Sequence, residues 1–125
     1  MTVLWIAAGG AMGAAARYGL GGWVQRIAGA TFPWGTAAVN VLGSLLLGFA
    51  VVWLRGSSLP TDARLFLTVG VLGGFTTFST LGYETVILMQ ENRWSAAALY
   101  ALGSLALGVL GVLLGIAAAD AMLGD

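Results

Sequence analysis

Long apolar runs broken by only ten charged side chains constrain this 125-residue sequence more than any other feature. A soluble domain of this length needs roughly a quarter of its residues charged to cover its surface, whereas 8% are charged here and 59% are hydrophobic. The chain must therefore meet lipid. A spanning helix needs about 20 predominantly apolar residues to cross the hydrocarbon core, and marking where charges interrupt the apolar runs yields four such stretches, at about 3–23, 33–54, 65–89 and 94–122. They predict an all-α integral membrane protein, with residues 1–125 forming a single four-helix transmembrane domain. The polar connections carry Arg26, Arg55 and Arg93, and Trp23, Trp34, Trp53 and Trp94 fall near span ends, where an amphipathic ring is favoured. A cleaved signal peptide ending near residues 14–16 is a competing reading of the N-terminus, but no basic residue precedes the apolar run.

The absence of His and Cys removes imidazole and thiolate metal sites, Ser-His and Cys-His catalysis, and disulfides. Without Lys or an Arg cluster there is no electrostatic footprint for nucleic acid. An enzyme is not expected. Four spans put Arg55 and Arg64 on one side of the membrane and Arg26 and Arg93 on the other, with Arg17 leaning toward the second group. Positive charge on the two sides is so nearly equal that neither orientation is clearly favoured. Such a balance fits either insertion decided by other signals or dual topology, in which oppositely inserted copies pair about a two-fold axis in the membrane plane. Glycine is abundant, at 20 residues. Gly9 with Gly13, Ser44 with Gly48, Ser104 with Gly108, and Gly111 with Gly115 repeat at four-residue spacing, and these pairs read as faces for close helix packing.

The third span is a poor helix at its centre, where Gly73-Gly74-Phe75-Thr76-Thr77-Phe78-Ser79-Thr80 combines a double glycine with hydroxyl side chains that compete for backbone bonds. Two readings meet here. In one, the segment is a Gly/Thr helix contact with hydroxyls bonded to the preceding turn. In the other, the helix breaks, and freed carbonyls at this depth must be satisfied by protein, water or an ion. Two antiparallel copies crossing at this point would offer two carbonyls each to a cation on the axis. Beyond the break, Thr77, Thr80 and Glu84 share a helix face. Asn40 in the second span, and Tyr100 and Ser104 one turn apart in the fourth, supply hydroxyl and amide donors suited to a small anion. The ring edges of Phe75 and Phe78 add the positive end of the aromatic quadrupole.

The segments Gly9-Gly10-Ala11-Met12-Gly13-Ala14-Ala15-Ala16-Arg17-Tyr18 and Gly35-Thr36-Ala37-Ala38-Val39-Asn40-Val41-Leu42-Gly43-Ser44, with the eight-residue segment of the third span, closely resemble the Fluc/CrcB family of fluoride channels. The resemblance covers nearly the whole chain. It implies a multi-pass protein of the cell (inner) membrane that forms an antiparallel dual-topology homodimer, with two narrow pores and a central structural sodium ion. Such a protein passively exports fluoride and confers resistance to it. By position, the resemblance assigns the sodium carbonyls to Gly73 and Thr76, and the fluoride pathway to Asn40, Phe78, Ser79, Thr80, Tyr100 and Ser104. Leu81 stands where the family has a second pathway phenylalanine, and the polar stripe of the fourth helix stops at Gly108 and Val112. Arg17 and Glu84 read as vestibule or structural residues. The rivals are a proton-coupled exporter of the small multidrug resistance kind and a non-transporting assembly subunit. The exporter needs a carboxylate deep in the first span, where this chain has Arg17 instead.

Overall fold

The computed structural model describes residues 1–29 and 31–123. Helix α1 (Thr2–Ala28) is followed by α2 (Trp34–Arg55), then by a third stretch assembled from several pieces, and finally by α6 (Trp94–Leu123). The third stretch opens with α3 (Thr61–Leu65), widens into a π-helical segment (Phe66–Leu72), tightens again as α4 (Gly73–Phe75), breaks, and resumes as α5 (Phe78–Gln90). No strand occurs among the described residues.

Among the described residues, three helices, Trp34–Arg55, Thr61–Gln90 and Trp94–Leu123, are long and apolar enough to cross a membrane. Helix α1 matches them in length at 27 residues, but its apolar character is diluted by Arg17 and a series of glycines. Small residues point inward and large ones outward, as expected where lipid replaces water and helices associate by close packing. On α6 the buried residues include Ala97, Gly111, Gly115 and Ala119, whereas Leu99, Leu102, Leu105, Val109 and Leu113 are each more than half exposed.

Helix α6 runs along α2, and α1 runs along the π segment and α4. Both pairings depend on backbone approaching backbone. A Cβ on Gly115 would overlap the Leu45 carbonyl, and one on Gly13 would overlap the Val71 carbonyl. The π segment contributes to the second contact: the wider turn brings Gly70 against Gly9, and the Gly73 amide reaches back five residues to the Thr68 carbonyl.

Two connections are fastened by side chains. Gln25 donates to the Phe32 carbonyl at 2.9 Å and accepts from the Gly35 amide at 3.0 Å, closing the turn between α1 and α2. Arg64 donates to the carbonyls of Leu59 and Ser57 at 3.0 and 2.8 Å, closing the turn after α2. The turn between α5 and α6 places Asn92 at φ 60° and joins Arg93 to Glu91 at 3.7 Å.

Candidate functional site

Thr76 and Thr77 leave helical geometry, with φ/ψ of −90°/158° and −148°/120°, so the third stretch is broken within the double-glycine and threonine segment. The expected break is present, and its hydrogen bonds explain how it is tolerated. The Thr77 amide turns away from the Gly73 carbonyl four residues back and donates to Oδ1 of Asn40 at 2.7 Å. Asn40 in turn donates from Nδ2 to the Thr77 carbonyl at 3.0 Å. One carboxamide on α2 therefore satisfies both backbone polar groups of Thr77, which an unpaired amide in hydrocarbon requires.

The flanking groups are settled locally. Thr77 caps α5 by accepting from the Thr80 amide at 3.3 Å, and its hydroxyl bonds that of Thr80 at 3.1 Å. Arg17 reaches from α1 to the Gly74 carbonyl at 3.1 Å. Expected at a pore mouth or as an anchor, Arg17 thus bonds the backbone of the break itself. The carbonyls of Gly73 and Thr76 are left with their usual amide donors diverted, since Thr77 bonds Asn40 and Thr80 bonds its own cap. They are strong, neutral oxygen ligands of the kind a hard monovalent cation takes, so the donor set fits sodium. Among the described residues there is no cluster of three or more acidic, His or Cys side chains that would hold a metal instead.

A groove of about 720 Å³ runs beside the break. Asn40, Gly73, Thr76, Phe78 and Ser104 line it, together with Leu81, Gly108 and Val112. Phe78, the first residue of α5, is 85% exposed in the single chain. Ser79 is exposed on α5 but does not line the groove, and Thr80 is committed to its cap.

Tyr100 is separate from Ser104 despite lying one turn away on the same helix. It is 1% exposed, packs edge-on against Phe32 at 5.4 Å, and donates its hydroxyl to Glu84 Oε1 at 2.6 Å. Glu84 in turn lines a second, smaller cleft of about 250 Å³ with Gln25, Phe32, Glu91 and Arg93, and Arg93 also donates to the Thr31 carbonyl. The expected site residues therefore divide between a groove at the break and a cleft near the turn at its far end. Glu84 lines the cleft, and Tyr100 lines neither space but is bonded to Glu84.

Sequence reading missed two contributors. Gln25 gave no signal, because its role depends on which carbonyls a turn presents. Ser44 did give one: it lies one turn from Asn40 on α2, and it lines the same groove.

The sequence model of the family described as CrcB-like protein, Camphor Resistance (CrcB), matches residues 4–116. A fluoride-specific ion channel FluC from Thermus thermophilus is 53% identical over 121 residues, covering 97% of this chain and 95% of that protein. Proteins of the same name from Roseiflexus sp. and Geobacter sulfurreducens are 48% and 49% identical, covering 92% and 94% of this chain and 94% and 96% of their own lengths.

Proposed function

Taking as premise that this chain belongs to the CrcB family, we propose that it is a fluoride-selective channel of the cell membrane, giving passive fluoride export and hence resistance to fluoride. The observation that carries this reading is the break at Thr76 and Thr77, bonded by Asn40 beside a largely apolar groove that holds a few neutral donors. In this proposal α1 is a fourth span, and two copies inserted in opposite senses meet at the break. Their Gly73 and Thr76 carbonyls would hold one sodium ion, whose charge would offset part of the cost of an anion at mid-depth.

Fluoride is small and strongly hydrated, so a selective path must replace its water with donors while binding it weakly enough to let it leave. Asn40 fits that need, because a carboxamide nitrogen has two hydrogens and only one is used on Thr77. Ser104 adds a hydroxyl, and Phe78 adds a ring edge. A lysine in the groove would bind the ion too tightly, and the groove contains none. Ser79, Thr80 and Tyr100, which the family resemblance assigns to the path, lie outside the groove of the single chain, so the proposed path rests on Asn40, Ser104 and Phe78. The dimer has two such paths, one beside each copy's break. Glu84 organises the entrance, and Arg17 secures the break.

The test is reconstitution of the purified protein in liposomes, with fluoride and chloride efflux measured separately. Rapid fluoride efflux with negligible chloride efflux is expected, and it should persist when the proton gradient is collapsed. Equal chloride efflux or no fluoride efflux would refute the proposal. Dependence on a proton gradient would favour the exporter.

A further inference from the structure

The groove carries more hydroxyls than the proposed path uses, and their hydrogen bonds separate them. Thr68, Thr76 and Thr85 each donate to the carbonyl four residues back, at 2.9, 3.2 and 2.7 Å, and Thr77 is bonded to Thr80. These four hydroxyls are spent on their own backbone or cap. Ser44 and Ser104 also line the groove, and neither makes a hydrogen bond among the described residues. A hydroxyl that lines an open groove without a partner is a free donor.

Ser44 occupies a particular level of that groove. It lies four residues beyond Asn40 on α2, about 6 Å along the axis by the helical rise. On the facing helix, the position one turn beyond Ser104 is Gly108, which has no side chain to offer. A Cβ built on Gly108 would sit 3.5 Å from the Ser44 hydroxyl oxygen, so the two positions face the same point in space. Gly111 leaves room for the approach, since a Cβ there would lie 3.4 Å from the Ser44 Cβ. The four-residue spacings of Ser44 with Gly48 and of Ser104 with Gly108 read as packing in the sequence, but their juxtaposition also exposes a hydroxyl where α6 has a gap.

We infer that Ser44 donates its hydroxyl hydrogen to the transiting anion, so that the lane of donors crosses from α6 at Ser104 to α2 at Ser44 at the level of Gly108. The inference rests on the fluoride reading above. It assigns Ser44 to the ion path rather than to helix packing, and it names the feature that continues the lane past the glycine.

The test uses the full-length protein in liposomes, with fluoride efflux as the readout. Ser44→Ala removes the oxygen and keeps the Cβ. It should lower fluoride efflux by about tenfold, the factor that one hydrogen bond to a charged partner contributes at the weaker end of its range, while dimer elution and thermal unfolding in detergent match those of the wild type. Adding Gly108→Ser returns a hydroxyl to the same point from the opposite helix, into space that Ser44→Ala has cleared, and should recover most of the lost efflux. A residue that only packs would not be rescued in this way. Ser44→Cys, close in volume but a poor donor, should resemble Ser44→Ala and serves if the alanine variant does not assemble. Wild-type efflux in Ser44→Ala or Ser44→Cys overturns the inference. So does a loss that Gly108→Ser leaves unrepaired in a well-assembled dimer. A wild-type protein that passes no fluoride would instead overturn the functional reading on which the inference rests.

Discussion

At the scale of single residues, Asn40 has the greatest leverage, because both ends of its carboxamide are bonded to one peptide residue. Asn40→Ala leaves the Thr77 amide and carbonyl without partners in a low-dielectric setting. Each such loss costs roughly 1 to 3 kcal/mol, so a destabilisation of about 2 to 6 kcal/mol is expected in detergent unfolding, together with loss of fluoride efflux. Asn40→Asp distinguishes the two roles. A carboxylate still accepts from the Thr77 amide, but it cannot donate to the carbonyl and it repels an anion. It should therefore retain more stability than the alanine variant while passing as little fluoride. An aspartate variant with normal efflux would show that the Asn40 donor does not serve the ion. Of these features, the residue type of Asn40 and its place in the second span were legible from sequence. Its partner, 37 positions away, was not, because nothing local encodes which peptide a side chain will meet across a helix interface. The same holds for Arg17 and the Gly74 carbonyl, 57 positions apart.

At the scale of elements, the apolar runs marked the helices well, since charge and tryptophan limit how far a span can extend. The break was legible for a different reason: double glycine followed by threonines weakens a helix through backbone entropy and competing hydroxyls, both of which are local effects. The π segment was not legible. It depends on the fit of Gly70 against Gly9, a tertiary contact without a sequence period. Close approach also predicts which glycines matter. Gly115→Val would drive a side chain into the Leu45 carbonyl and should destabilise by about 1 to 3 kcal/mol or prevent folding. Gly19→Ala, in the middle of α1 with nothing within 4 Å of the added carbon, should be neutral or stabilise by about 0.5 to 1 kcal/mol through helix propensity. Thermal unfolding of the two variants in one detergent checks the contrast, and equal effects would mean that α2 and α6 are not packed as described.

At the scale of the whole molecule, the proposed pairing would complete what one chain leaves open. The chain's groove is open, and the Phe78 ring that lines it is 85% exposed. A second copy in the opposite sense would cover that edge and bring a second pair of Gly73 and Thr76 carbonyls to the first. Sodium then becomes testable as a shared ligand. Protein purified and reconstituted throughout in choline salts should lose fluoride efflux and regain it when sodium is restored, whereas undiminished efflux would remove the ion from the account. In the proposed dimer, opposite insertion would rest on the near balance of Arg55 and Arg64 at one face against Arg26 and Arg93 at the other, so small additions should tip it. Ser58→Arg with Thr61→Arg adds charge to the first face, and Ala28→Arg with Gln90→Arg adds it to the second; all four positions are exposed. Each double variant expressed alone should insert in a single sense, as read by accessibility labelling, and should give little fluoride efflux because antiparallel partners are missing. Co-expression supplies both orientations and should restore efflux. If either variant conducts fully in one orientation, the pair is not antiparallel, and the carbonyls of the break would have to be satisfied within a single chain.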